Sequence, residues 1–426
     1  MRLIPTLFLA LAFFLIFGAG PLPAQNGLFT PLTIEPDLPL KSPPATAARQ
    51  RLVWINLDQL KPPAEAPAQE VGLEPVHLNL FDDVSFMARL NPSESTTSGG
   101  SLWVGTIDGF PHSEVTLVLK EGVLSGNITI PGAFYQVRFV GDNIHAVREI
   151  DQRVFPPEKD PIPVPLIDER SFERNQDIGL AYRTYLPLVN KDRKDQPLEA
   201  RVLVVYTPAA RTAAGGTAAM TSLINLAVSE TNTGYANSGV GLRVRLAYST
   251  EVAYDETNFD WDITLDRLTE TSDGYLDGVH ALRDSVQADL VVMLVGNQTF
   301  CGIGWLMKSP SSSFASHAFT LVNWDCATGY YSFAHEMGHN MGSHHDWNAT
   351  NEPGCYAYSK GYQDPNRLFR TIMAYNCPGS CPRINYWSNP EVYYMGQPTG
   401  VPYYAFHPAD NRRSLKNTAS TVTGWR

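Results

Sequence analysis

The stretch Phe333-Ala334-His335-Glu336-Met337-Gly338-His339-Asn340-Met341-Gly342-Ser343-His344-His345-Asp346 gathers the residue types of this chain that could do chemistry together. His335 and His339 are four apart, so on a helix both imidazoles project from one face and can share one metal ion. Glu336 stands beside the first of them. A carboxylate there can take a proton from a zinc-bound water, whose pKa the ion lowers to roughly 7. His345 lies six residues beyond His339 and reaches the same ion only if the chain turns sharply in between. Gly342 supplies that turn, because glycine enters positive φ without steric cost. Three imidazoles leave a fourth position open for water and a substrate carbonyl, which is what makes a zinc site catalytic. His344 is the alternative third ligand, but the spacing favours its neighbour. An isolated histidine is more often an ordinary surface or core residue, and His77, His112, His145, His280, His317 and His407 are read that way.

The elements that must hold this cluster can be read in outline. With 426 residues, 43% of them hydrophobic, the chain is long enough for two domains with separate cores. Its net charge of -11 and the absence of a long Lys/Arg run argue against a nucleic-acid partner. Arg2, the apolar run from Leu7 to Phe17 and the small or turn-forming residues up to Ala24 have the layout of a signal peptide. That apolar run falls short of the ~20 residues a bilayer-spanning helix needs, and no later segment is long enough either. The expectation is export without a stable membrane anchor, to the extracellular space or to the periplasm if the source is Gram-negative.

Proline clusters at Pro43-Pro44, at Pro62-Pro63 with Pro67, and across Pro156, Pro157, Pro161, Pro163 and Pro165 read as linkers. Between the last two clusters come short β-like runs: Val76 to Phe81, Leu102 to Ile107, Val115 to Leu119, Val123 to Ile130, Tyr135 to Phe139 and His145 to Ile150. Turns at Glu121-Gly122 and Gly141-Asp142 separate the later ones. They predict a small antiparallel β domain. Beyond the charged stretch Asn190 to Asp195, strands at Arg201 to Tyr206, Leu242 to Tyr248 and Leu290 to Val295 alternate with helices at Thr217 to Asn237 and Leu276 to Val286. This pattern predicts an α/β domain with a mixed, mostly parallel sheet. The expected division is a signal peptide at 1-24, a β-rich domain with its Pro-rich linker at 25-195, and the metal-binding domain at 196-426.

All five cysteines fall in the last third, which in an exported chain suggests disulfides. No pair has the Cys-x2-Cys spacing of structural zinc sites. The expected pairs are Cys301 with Cys326, and Cys355 with Cys377 or Cys381.

His335 to Asp346 matches the metzincin signature His-Glu-x-x-His-x-x-Gly-x-x-His at every fixed position, so the chain resembles a metzincin zinc metallopeptidase. Thr371-Ile372-Met373-Ala374-Tyr375 resembles the Met-turn of that clan, which implies Met373 as a hydrophobic floor under the metal. Asp346 directly after the third histidine is typical of the reprolysin (adamalysin) group. The stretches Arg370 to Tyr375, Trp387-Ser388-Asn389-Pro390 and Ala409-Asp410-Asn411 look like bacterial secreted reprolysin-like enzymes, the peptidyl-Asp metalloendopeptidases in particular. The resemblance spans roughly Arg201 to Arg426. It implies one catalytic Zn2+, protein or peptide substrates, and a zymogen whose β-rich propeptide inhibits its own catalytic domain. Calcium is left open.

Animal reprolysins usually have a proline soon after the Met-turn methionine, whereas Tyr375 sits two residues after Met373 as in astacins and serralysins; that similarity makes it a candidate oxyanion donor, the alternative being a packing tyrosine. Lacking a cysteine before Cys301, the propeptide would need another device, and by analogy with astacin precursors Asp82 or Asp83 is the expected zinc cap. The segment Cys381 to Asn385 is implied to line the first primed pocket. Arg383 there, or Arg370 before the Met-turn, would read an acidic substrate residue, the rival for both being a surface ion pair. The segments Cys301 to Trp305 and His317 to Val322 are expected to supply the substrate-aligning edge strand. A rival function is a secreted, zinc-stabilised binding protein without protease activity.

Overall fold

The computed structural model describes residues 27–32, 42–60, 75–92, 96, 98–164 and 197–426. The expected signal peptide, the Pro62 to Pro67 cluster and the charged stretch Asn190 to Asp195 lie outside them.

Nine antiparallel strands build the N-terminal unit: β1 (Phe29–Pro31), β2 (Ala47–Ile55), β3 (Val76–Phe81), β4 (Val84–Pro92), β5 (Ser101–Ile107), β6 (Glu114–Lys120), β7 (Val123–Ile130), β8 (Ala133–Gly141) and β9 (Ile144–Ile150). Their order is β1-β2-β9-β8-β7-β6-β5-β4-β3. Two-residue turns with positive φ at both positions join β6 to β7 (Glu121-Gly122) and β8 to β9 (Asp142-Asn143), matching the right-handed strand twist. The second turn sits one residue later than the sequence suggests. Leu28 N–H donates to His77 O at 2.9 Å and Phe29 N–H to Asn79 Oδ1 at 2.9 Å, so the two edges of the sheet curl together. Leu78, Leu90, Leu117, Ile128, Val137 and Val147 fill the interior.

The second unit carries β11 (Leu198–Tyr206), α1 (Pro208–Ala214), α2 (Thr217–Ser238), β12 (Leu242–Glu251), α3 (Trp261–Thr269), α4 (Gly278–Ser285), β13 (Leu290–Val295), β14 (Gly302–Leu306), β15 (Phe319–Asn323), α5 (Ser332–Asn340) and α6 (Asn411–Val422). β12, β11, β13 and β15 run parallel, and β14 is antiparallel to β15. β13 reads as an unbroken apolar run because both its faces are buried: Leu290, Val292 and Leu294 face one core, Val291, Met293 and Val295 the other. The sequence's parallel strands and its two long helical stretches are found here within a few residues.

Only β14 of the two expected edge segments is near an edge, while β15 is interior. The rim of β14 is itself covered by β10 (Ile162–Pro163), which pairs with it in parallel, Ile162 opposite Trp305. β10 belongs to the tail of the N-terminal unit, and that unit also rests on α2. Ser222 Oγ donates to Val118 O at 2.9 Å, and Arg138 Nη2 donates to Thr328 Oγ1 at 2.7 Å.

Cys301 pairs with Cys326 as expected, but the second disulfide joins Cys377 to Cys381. Those two close a tight loop after the Met-turn, with Cα atoms 5.4 Å apart. Cys355 is instead free, its thiol directed at Met307 O (3.1 Å) beneath Gly342.

Candidate metal centre and its cleft

α5 carries His335, Glu336 and His339, all fully buried. The helix ends at Asn340, Gly342 with a φ of 86° then reverses the chain, and Ser343 N–H closes the end on Gly338 O at 2.8 Å. The reversal returns His345. The three Nε2 atoms lie 3.0 to 3.1 Å from one another, while His344 lies outside the triad.

The other ring nitrogens show what the triad is for. His335 Nδ1 is 2.8 Å from Ile372 O and His339 Nδ1 is 2.9 Å from Ser343 O. A carbonyl can only accept, so each Nδ1 carries the proton and each Nε2 presents a lone pair. Burial, foremost, holds all three imidazoles below their ordinary pKa and therefore neutral. Lone pairs converging at 3.1 Å repel unless a cation lies among them. One ion reaching each nitrogen at about 2.0–2.1 Å fits the donor set and its backbone-anchored supporting bonds. The cluster is thus compatible with a zinc site.

Met373 packs under α5, where a Cβ on Gly338 would meet its sulfur at 2.8 Å. Trp387 fills the same floor and stacks on Tyr235 at 5.5 Å. Asp346 ties the floor to the ligand loop by accepting Tyr375 N–H at 2.8 Å. Ser388 Oγ accepts Asn411 N–H (2.8 Å) and donates to Lys360 O (2.6 Å), so the two C-terminal stretches noted in the sequence form one structural node.

Glu336 lies against β14. A Cβ on Gly302 would stand 2.6 Å from Glu336 Oε1, so the glycine is what leaves room for the carboxylate. Neither Glu336 oxygen has a hydrogen-bond partner among the described residues. Burial, then the nearby Glu158 carboxylate, push Glu336 well above the usual carboxylate range.

Glu158 comes from the N-terminal unit's tail. Its Oε1 accepts from Arg383 Nη1 at 2.6 Å and from Ser332 Oγ at 2.7 Å, in a pair whose side chains are each 1% exposed. Arg383 also donates to Tyr330 O (2.9 Å) and Ala374 O (3.2 Å). Arg370 is equally buried, but its guanidinium serves Ala374 O (2.8 Å), Cys381 O (3.3 Å) and Tyr330 Oη (3.1 Å). Neither arginine forms the exposed ion pair that was their rival reading. Tyr375 lays its ring on His345 at 4.1 Å and donates its hydroxyl to Asp160 Oδ1 at 3.0 Å, with Asp160 3.5 Å from His345 Nδ1.

Asp82 and Asp83 are far from this chemistry. They form the β3–β4 turn and pair with Arg51 (3.4 Å) and Arg49 (2.7 Å). The acidic residues brought to the cleft are Glu158 and Asp160, hidden in the sequence by a proline-rich stretch read only as a linker. Ser332, Tyr330 and Gly302 were also missed; the Gly302-Ile303-Gly304 pattern beside Cys301 was the one local signal of a close approach.

A buried histidine triad with an adjoining glutamate, on a helix backed by a mixed sheet, defines a metal-dependent hydrolase. The sequence profile described as Metallo-peptidase family M12 matches residues 197–388. A peptidyl-Asp metalloendopeptidase of Stenotrophomonas maltophilia (strain R551-3) is 39% identical over 351 residues, covering 78% of this chain and 79% of that relative. Another so named, from Xanthomonas campestris pv. campestris, is 35% identical over 425 residues, covering 96% of this chain and 94% of its own. The chain belongs to metallopeptidase family M12 and is a zinc metalloendopeptidase. Among the described residues no helix is long and apolar enough to cross a membrane.

Proposed function

We propose that this chain is a secreted zinc endopeptidase, made as a latent precursor, that cuts on the N-terminal side of acidic residues. The observation that carries the reading is the convergence of three Nε2 atoms beside buried Glu336, in a cleft that also holds the buried Arg383 guanidinium. His335, His339 and His345 would hold the ion. Zinc bound there supplies a Lewis acid and a water of lowered pKa. Glu336 takes the proton of the attacking water and hands it to the leaving amine. Its position on α5 beside His335, with neither carboxylate oxygen hydrogen-bonded among the described residues, leaves it free to take and return that proton. Tyr375, whose ring lies on His345, would donate its hydroxyl to the developing oxyanion once freed from Asp160. The rim of β14 would align substrate backbone as an added strand. Arg383 would take the acidic side chain, a preference that the relatives' name, peptidyl-Asp metalloendopeptidase, supports.

In this reading residues 1–24 are removed on export and residues 25–195 form the prosegment. Its latency device is the Glu158 to Asp160 stretch over the cleft in place of Asp82 or Asp83. A chelator added to the processed protein is expected to abolish peptide cleavage, with about one equivalent of zinc restoring it. Retained activity in metal-free protein, measured alongside zinc content by mass spectrometry, would sink the proposal. Gly302→Ala is expected to keep its zinc yet lose about tenfold to a hundredfold in kcat, because the new methyl displaces Glu336. An unchanged kcat would show that the β14 glycine does not set the position of the carboxylate.

A further inference from the structure

We propose that Glu158 is a built-in stand-in for the substrate's acidic side chain, and that Ser332 is, with Arg383, a specificity-determining residue of the pocket it fills. The inference rests on the acidic-residue preference put forward above and adds its regulation and its second recognition group.

The tail from Gln152 to Val164 occupies the cleft as a ligand would. Gln152 pairs with the Arg383 backbone in both senses, Oε1 accepting Arg383 N–H at 2.7 Å and Nε2 donating to Arg383 O at 3.3 Å. Phe155 stacks on Tyr330 with ring centres 4.3 Å apart. Cys301 N–H donates to Pro157 O at 2.8 Å and Lys159 N–H to Gly302 O at 2.9 Å, so the backbone on either side of Glu158 is zipped to the β14 edge. Between these two bonds the Glu158 side chain turns inward to the buried Arg383 guanidinium.

The pocket is made for a carboxylate. A buried guanidinium and a hydroxyl converge on one oxygen, and Tyr330 lies under the Arg383 plane at 4.2 Å. Charge-assisted bonds in a dry site favour a carboxylate over the isosteric amide, whose oxygen can accept from Arg383 and Ser332 but brings no charge to balance the buried guanidinium. Glu158 also resists being treated as substrate. The bond on its N-terminal side has Pro157 as its carbonyl residue, and that oxygen is held by Cys301 N–H. The segment therefore fills the selective pocket with its cleavable carbonyl committed to the sheet.

Two peptides spanning Phe155 to Val164, one native and one carrying Glu158→Gln, test the stand-in role. They are titrated against enzyme processed from the full-length chain, with cleavage of an Asp-containing reporter and its Asn counterpart as readouts. The native peptide is expected to inhibit about thirtyfold or more tightly than the Gln peptide, the scale for losing one partner of a buried charge pair. Equal inhibition overturns the stand-in role, whatever the reporters show. Absence of Asp over Asn selectivity in the wild type would instead overturn the specificity reading alone, leaving the peptide comparison to stand. Ser332→Ala is expected to lower the Asp/Asn ratio of kcat/KM by about tenfold with zinc content intact, and Ser332→Thr to recover part of it. A ratio untouched by Ser332→Ala, in folded and zinc-replete protein, removes Ser332 from recognition.

Discussion

Glu336→Gln is expected to bind zinc as fully as the unsubstituted protein and to lose about two to four orders of magnitude in peptide turnover. The amide keeps the size of the side chain that fits against Gly302, so the helix and the three imidazoles have no reason to move. It removes only the group able to accept a proton. The site makes this separation sharp, because the proposed ligands are tied elsewhere: His335 to Ile372 O, His339 to Ser343 O. Glu336 shares none of those bonds and has no hydrogen-bond partner among the described residues. Zinc content by mass spectrometry and single-turnover cleavage should therefore part company. Parallel loss of both would mean that Glu336 holds the site together, and near-normal turnover would mean that another group moves the proton.

That much of the site was legible because it is local. His335, Glu336 and His339 lie on one helix, Gly342 turns it, and His345 follows within three residues, so residue type and spacing dictate the geometry. The central strands were legible for a similar reason: β13 is a bounded apolar run too short for a buried helix and rich in β-branched valine, which reads as a strand buried on both faces. What the sequence hid is long-range. Glu158 and Arg383 are 225 residues apart, and nothing near Glu158 distinguishes it from a charged residue in a linker. The prolines around it read as an absence of structure, although an extended, proline-stiffened segment is what can lie along a sheet edge at low entropic cost. β2 was missed because Arg49, Gln50 and Arg51 interrupt its apolar pattern, and those residues face partners such as Glu149, Asp83 and Arg148. Cys355 was mispaired because sequence distance says nothing of direction, and its thiol faces the turn at Gly342.

Arg383→Ala and Arg370→Ala are expected to fail in different ways, and the difference decides which arginine reads the substrate. Both are buried and both donate to Ala374 O, so burial and that shared bond do not distinguish Arg383, the first candidate in the sequence, from Arg370. Arg370 spends its donors within the fold, on two carbonyls of the Met-turn region and on the Tyr330 hydroxyl. Removing it leaves buried acceptors unpaired, at a cost to stability of about 2–4 kcal/mol. Folded Arg370→Ala should keep the preference for Asp over Asn. Arg383 directs Nη1 at the Glu158 carboxylate, which under the proposed activation would give way to substrate. Its loss should lower the Asp/Asn ratio of kcat/KM by about a hundredfold, with a smaller fall in melting temperature. Arg383→Lys should recover only part of the ratio, since an ammonium cannot reproduce the guanidinium's fork between Tyr330 O, Ala374 O and a carboxylate. Peptide pairs cleaved by the three variants, with thermal melts of each, provide the measurement. Selectivity that survives Arg383→Ala but collapses with Arg370→Ala would transfer the role to Arg370.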